Sequence, residues 1–213
     1  MMLAGIAHEV RNPLGGLELY AGLLRDALGG QPERLEEVYR IEREVGHLKT
    51  VVNEFLEFAR RPTPNLEAVA LGPLFDEVRE LTRAASGATI TVDVPPALRV
   101  RADVGQLRRV LLNLARNAAT AARTGRVQLA AQVISPGDPG RGVRIEVRDD
   151  GPGVSAALRE QIFTLFFTTR EKGTGLGLAF VREIVRDHGS DVVVRDAPGG
   201  GSVFSFELPA VSS

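Results

Sequence analysis

Residues 106–122, QLRRVLLNLARNAATAA, decide how the second half of the chain is read. Leu107, Val110, Leu111 and Leu114 recur at steps of three and four, the period of an amphipathic helix. The spacing predicts a helix over 104–122, with Asp103 as its N-cap. Asn113 and Asn117 sit one turn apart on it. Asn117 follows Leu114 by three positions, so it borders the core instead of lying opposite it. Asparagine is a weak helix former, and two of them on one face suggest a task. An amide oxygen is a hard ligand suited to Mg²⁺; the plain alternative is a pair of polar residues at a helix edge.

Around this helix the pattern alternates. Residues 71–85 read as a helix and 88–94 as an alternating strand. Residues 127–134 and 143–147 read as two strands joined by the loop SPGDPGRG. A helix is expected over 175–187, and 192–195 with 203–208 frame PGGG as a hairpin. Helices layered on a mixed sheet are the expected architecture.

Two glycine-rich loops lie in this half. VRDDGPGV (147–154) ends an apolar strand. The Asp149 carboxylate can accept a hydrogen bond from an exocyclic amine such as that of adenine, and Gly151 and Gly153 let backbone come close to a base. A plain turn is the alternative. GTGLGLAFVREIV (173–185) sets Gly173, Gly175 and Gly177 at the opening of a helix, where backbone N–H groups suit a phosphate. It follows no strand and lacks a GK[ST] ending, so neither a dinucleotide fold nor a P-loop is indicated. Between the loops, 154–174 carries Phe163, Phe166, Phe167, Thr168, Thr169, Arg170 and Lys172. This suits a mobile lid over a nucleotide, with one more packed helix as the alternative. Lys49 and Lys172 are the only lysines.

The first sixty residues differ. Leu3, Ile6, Val10, Leu14, Leu17, Ala21, Leu24 and Leu28 form a heptad seam, as do Val38, Ile41, Val45, Leu48, Val52, Phe55 and Ala59. Gly29, Gly30 and Gln31 break the run and Pro32 opens the second helix. A lone hairpin cannot enclose both stripes, so a homodimeric four-helix bundle is expected. Arg60–Asn65 is a proline-broken linker.

In AHEVRNPLGG (7–16), His8 lies about 160° from Val10 around the helix, on the side away from the seam. Asn12 falls about 40° from His8, and Gly15 leaves the same face clear two turns on. Pro13 deprives the Glu9 carbonyl of its helical partner and should bend the helix. Glu9 can hold one imidazole nitrogen and fix the tautomer, leaving the other nitrogen reactive. Asn12 could orient a water there. No HExxH pattern is present, so a zinc protease is not indicated, and His47 and His188 have no comparable setting.

Composition is that of a soluble globular protein: 213 residues, 44% hydrophobic, 25% charged and a net charge of −1. That balance gives no case for nucleic-acid or membrane attraction. The absence of cysteine rules out disulfides and thiolate zinc sites. No apolar run reaches the roughly 18–20 residues of a membrane span, and no signal peptide is evident. The lack of cysteine is compatible with cytosol, and a cytoplasmic location is expected for the segment. The abrupt helix start before His8 leads us to expect upstream sequence, where any membrane anchor would reside.

Taken in order, AHEVRNPL, NLARNAATAA, DDGPG, FTLFFTTR and GTGLGLA resemble the H, N, G1, F and G2 boxes of the bacterial two-component sensor histidine kinases. The HExxN form with its proline is similar to the nitrogen-regulation branch. The resemblance covers nearly the whole chain. It implies an α+β chain: a dimerising helical hairpin over 1–61 forming a four-helix bundle, a linker at 62–65, and an α/β sandwich ATP-binding domain of the gyrase, Hsp90 and MutL type over 66–213. It further implies that His8 is the phosphoacceptor, Glu9 its acid/base neighbour and Asn12 the residue that positions water for dephosphorylating the partner. Asn117 would ligate Mg²⁺, with Asn113 and Arg116 lining the phosphate side. Asp149 would read adenine, with Gly151 and Gly153 beside it. Lys172, Gly173, Thr174, Gly175, Leu176 and Gly177 would contact phosphates. ATP and Mg²⁺ are the implied ligands, and the implied partner is a response-regulator receiver domain docking over Gly15 and Leu19. The chain departs from the pattern at Thr164 and Leu165, where an acid and a proline are usual, at Asp150 in place of a common asparagine, and at Ser190 where a second glycine is frequent. A Hsp90- or MutL-like clamp ATPase is the rival, but it would need a general base where this chain has Asn113. A non-catalytic dimerisation scaffold is the other.

Overall fold

A computed structural model describes the backbone of residues 2–28, 32–59, 62–134, 142–170 and 173–211, and within these the side chains from residue 12 onward except at 32. The chain divides into two compact units, Met1–Pro62 with Thr168–Leu176, and Thr63–Phe167 with Gly177–Ser213.

The first unit is built on α1 (Met2–Ala27) and α2 (Pro32–Ala59), the latter opening on the expected proline. Arg25 pairs with Glu42 at 2.8 Å and Lys49 with Glu18 at 2.7 Å. Seven residues back along α1, the contact has moved seven forward along α2, so the helices are antiparallel. These exposed pairs mark register more than they add stability. Apolar burial does the holding: Leu14 and Ala21 of α1, and Val38, Val45 and Leu56 of α2, are buried where the two helices pack together. Helix α1 runs through Pro13 without interruption. The other half of each heptad seam stays outside. Leu17, Leu24, Ile41, Leu48 and Phe55 are each 37–49% exposed.

The second unit contains β1 (Glu67–Ala70), α3 (Leu71–Ser86), β2 (Thr89–Asp93), β3 (Arg99–Ala102), α4 (Val104–Ala121), β4 (Arg126–Ile134), β5 (Gly142–Asp149), α5 (Gly177–Asp187), β6 (Val193–Asp196) and β7 (Ser202–Pro209). The main sheet has the order β2-β4-β5-β7-β6. Its β2–β4 pair is parallel, with Thr89 opposite Arg126, and the remaining pairs are antiparallel. Period-2 alternation gives the sheet one apolar face. Leu129 and Ala131 of β4, Val143, Ile145 and Val147 of β5, and Phe204, Phe206 and Leu208 of β7 are buried. Helices α3 and α4 cover that face, with α5 against α4. Burial on α4 follows the expected stripe of Leu107, Val110, Leu111 and Leu114. The Asp103 carboxylate accepts the Gln106 N–H at 2.9 Å, as its reading as N-cap requires. Gly87 stops α3 in a left-handed turn, φ 69°, returning its N–H to the Arg83 carbonyl.

Two readings need correction, and one strand pair went unread. Helix α5 begins at Gly177 and not at 175, because Gly175 has φ +67°, outside helical space. Residues 154–170 contain no α-helix; short 3-10 turns occupy Ala156–Leu158 and Gln161–Phe163. The antiparallel pair β1–β3, with Glu67 opposite Ala102, was not expected. Four-residue strands hold too few periods to stand out. The SPGDPGR segment (135–141), residues 29–31, the linker residues Arg60 and Arg61, and residues 171 and 172 lie outside the described residues. Among the described residues, no helix is long and apolar enough to cross a membrane.

Candidate nucleotide-binding site

Asp149 closes strand β5, on the inward side of the alternation that buries Val147 and Ile145, and is itself only 3% exposed. A buried carboxylate needs hydrogen-bond donors. Oδ1 accepts the N–H of Gly151 at 2.8 Å and that of Ser202 at 3.3 Å. The first bond folds the DDGPG turn around the carboxylate. The second ties it to the start of β7, so one carboxylate holds two loops.

The glycines here are required by close approach. A Cβ on Gly151 would lie 2.6 Å from the Ala121 carbonyl oxygen and 2.8 Å from Asp149 Oδ1. The turn therefore sits directly against the C-terminal end of α4. Gly153 adopts φ +80° and faces the Gly201 carbonyl. Asp150, the departure from the usual asparagine, is turned the other way: its carboxylate accepts from the Thr124 hydroxyl and backbone N–H. The Thr124 hydroxyl holds the Asp150 carboxyl below the usual carboxylate range. Asp150 thus fastens the turn to the α4–β4 connection.

Helix α4 then supplies a wall. Ala121 touches the DDGPG turn; Asn117 stands one turn back, about 6 Å along the axis, and Asn113 one turn further. Asn117 is half-buried and Arg116 is exposed, as the stripe on α4 dictates. At the far end, a Cβ on Gly177 would lie 3.0 Å from Asn113 Oδ1, so the first residue of α5 abuts that asparagine. Asn113 Nδ2 donates to the Arg109 carbonyl at 3.0 Å, and the Arg109 guanidinium lies 3.8 Å above the ring of Phe180 on α5. The arrangement runs from a buried carboxylate, past an amide side chain, to the N-terminus of a helix.

Gly173, Thr174, Gly175 and Leu176 belong to the other unit, with a bend at Gly175. Thr174 Oγ1 accepts the Leu176 N–H at 3.3 Å, and a Cβ on Gly173 would collide with the Thr168 hydroxyl. The lid reading is corrected at Phe163, which is buried edge-on against Phe204 at 6.4 Å, with the Arg182 guanidinium 5.3 Å from its ring centroid. Phe163 is an anchor. Phe166 is the exposed member, in a left-handed conformation at φ 64°. Leu165 is exposed, and the departure at Ser190 places its hydroxyl as acceptor of the Glu207 N–H at 3.2 Å. His8 and Glu9 fall on α1 with side chains outside the described residues, and Lys172 falls outside them altogether. Asn12 is exposed.

Sequence reasoning missed Gly201, Ser202 and Thr124. The PGGG run was legible only as a turn, yet its last glycine presses on the Asp149 backbone.

Comparison with known proteins agrees with this geometry. Residues 102–212 match the histidine kinase-, DNA gyrase B- and HSP90-like ATPase family, and residues 1–64 match the His Kinase A phospho-acceptor domain. The chain belongs to the sensor histidine kinases. Among sensor histidine kinases it is 37% identical to ZraS of Klebsiella oxytoca over 98% of its own length and 45% of that protein. It is 32% identical to the nitrogen regulation protein NtrY of Azorhizobium caulinodans over 92% of its length and 26% of that protein. The structure of full-length ShkA in complex with AMPPNP superposes with a TM-score of 0.78 at 35% identity, covering 100% of this chain and 46% of that one. The mycobacterial sensor histidine kinase MprB gives 0.61 at 31% identity, covering 70% of this chain and 99% of that one. The chain thus spans about half the length of the ZraS relative it matches.

Proposed function

We propose that the chain is an ATP:protein-histidine phosphotransferase, with the residues Asp149, Asn117 and Gly177 along one wall as the observation that carries the reading. Residues 1–61 present the phosphoacceptor, 62–65 act as linker, and 66–213 bind the nucleotide. Asp149 reads the adenine amine beside Gly151 and Gly153. Arg116, Asn113 and the N-terminus of α5 at Gly177 serve the phosphates, and by the family resemblance Lys172, Gly173, Thr174, Gly175 and Leu176 also bind the nucleotide.

Among the described residues, no group of three or more His, Cys, Asp or Glu side chains could hold a metal ion. The half-buried Asn117 amide oxygen suits Mg²⁺ as one ligand among phosphate and water oxygens. A Mg²⁺ held by Asn117 would supply charge neutralisation on the phosphates.

The lone pair of one His8 ring nitrogen attacks the γ-phosphorus, the bond to the β,γ-bridging oxygen breaks, and ADP leaves. Glu9 accepts the N–H on the other ring nitrogen and stabilises the charge that develops there. The phosphoryl group then passes to a receiver-domain aspartate docked over Gly15 and Leu19, and Asn12 orients the water that hydrolyses the receiver's phosphoaspartate, releasing inorganic phosphate. The exposed half-seam of Leu17, Leu24, Ile41, Leu48 and Phe55 supports a homodimer in which two hairpins close a four-helix bundle. The clamp-ATPase alternative gains nothing at Asn113, whose amide donates to the Arg109 carbonyl and meets α5; it has no carboxylate there to act as base.

Incubation with γ-labelled ATP tests the reading. The chain should take up label that survives base and not acid. His8→Ala should abolish it, and Asn117→Ala should reduce it at least tenfold. Label retained in His8→Ala overturns the assignment.

A further inference from the structure

Asp103 is used on three sides. One carboxylate oxygen accepts the Gln106 N–H at 2.9 Å and caps α4. The other accepts the backbone N–H of Asn65 at 2.9 Å, at the exit of the proline-broken linker and across 38 residues of chain. The Asp103 N–H donates to His188 Nε2 at 3.0 Å, while His188 Nδ1 lies 2.8 Å from the Ile184 carbonyl of α5. Because a backbone N–H can only donate, Nε2 must be the acceptor, and Nδ1 therefore carries the proton. Burial pushes the Asp103 carboxyl up, but the N–H groups of Gln106, Asn65 and Gly105 outweigh it and hold the group below the usual carboxylate range. Directly beyond Asn65, β1 pairs with β3, which ends at Ala102.

We infer that Asp103 is a positioning residue that fastens the end of the linker to helix α4, so that the linker's orientation and the helix bearing Asn113 and Asn117 move as one piece. This rests on the phosphotransfer reading above. The first oxygen serves the helix and the second serves the linker, and His188 holds the backbone that presents both. The pivot for domain movement then lies before Asn65. A chain fixed at that root delivers a bound nucleotide to His8 over a narrower range of directions than one free to swivel, which raises the effective concentration of the reacting groups.

The two duties can be separated. Asparagine and serine cap helices about as well as aspartate, but Asp103→Asn replaces one carboxylate oxygen by an amide that donates, and Asp103→Ser offers a single hydroxyl. Both variants of the full chain should keep α4 capped and release Asn65. Amide hydrogen exchange at Asn65 should become at least tenfold faster. The saturating rate of His8 labelling should fall at least threefold, while KM for ATP stays within twofold. Unchanged exchange at Asn65, an unchanged labelling rate, or a KM that rises in step with the loss of rate would each overturn the inference. A wild-type chain that labels nothing overturns the kinase reading itself. A wild-type chain that labels His8 beside variants that label equally well overturns the coupling alone.

Discussion

Gly201→Ala is expected to lower the thermal unfolding midpoint by about 10 °C. Gly201 has φ +95°, a region L side chains rarely enter, and its Cβ would overlap the Asp149 carbonyl oxygen while lying 2.7 Å from that residue's carbonyl carbon and 2.8 Å from Asp150 Cα. All three obstacles are backbone, at the end of a central strand, so no rotamer change relieves them. The conformational strain alone costs about 1–3 kcal/mol. Forcing the hairpin away from β5 also stretches the Ser202 N–H from Asp149 Oδ1, and a total of about 3–5 kcal/mol follows. Each kcal/mol moves the midpoint of a domain this size by about 2–4 °C. The neighbouring Gly199 is the control. Its φ is +86°, but nothing lies within 4 Å of its would-be Cβ, so Gly199→Ala incurs strain without collision and should cost about 1–2 kcal/mol. Calorimetry on the two variants separates the causes. Equal losses would mean that backbone conformation, and not contact with Asp149, is what Gly201 serves.

That contrast also marks what could be read from the sequence. Helix α4 was legible because eighteen residues repeat one period and begin at a recognisable cap. Strands β4 and β5 were legible because alternation runs unbroken to Asp149. The glycine-rich turn was legible as a close approach to something, though not as an approach to Ala121. Where tertiary neighbours decide, sequence reading ran out. Gly199, Gly200 and Gly201 look alike as letters, yet only the last meets another strand's backbone. Gly175 and Gly177 also look alike, yet one turns left-handed and the other starts α5. His188 showed no local motif because its partners are a carbonyl one turn away and an amide 85 residues away. Phe163 sat in a segment rich in polar residues, and only the Phe204 ring and Arg182 make it an anchor. On the hairpin the seam was clear, but one chain buries only half of it.

Asp149→Asn should fold and yet bind ATP roughly 100-fold more weakly. The substitution keeps an oxygen able to accept the N–H groups of Gly151 and Ser202, which hold Oδ1 at 2.8 and 3.3 Å. The midpoint of unfolding should therefore change little compared with Gly201→Ala. What changes is the second position of the group, from a charged acceptor to an N–H donor. Under the proposed reading that position faces the exocyclic amine of adenine, itself a donor. Losing a hydrogen bond to a charged group costs about 1.5–3 kcal/mol, and opposing two donors at a side chain that is almost fully buried adds to it. About 2.7 kcal/mol corresponds to a factor of roughly 100 in affinity. Base selectivity gives the sharper test. Inosine triphosphate carries a carbonyl where ATP carries the amine, so the wild-type carboxylate should reject it and the asparagine amide should accept it. Titration calorimetry with both nucleotides should show a strong preference for ATP in the wild-type chain and its loss or inversion in Asp149→Asn. If the variant weakens binding of both nucleotides equally, Asp149 only shapes the turn. Undiminished preference for ATP would remove it from base recognition altogether.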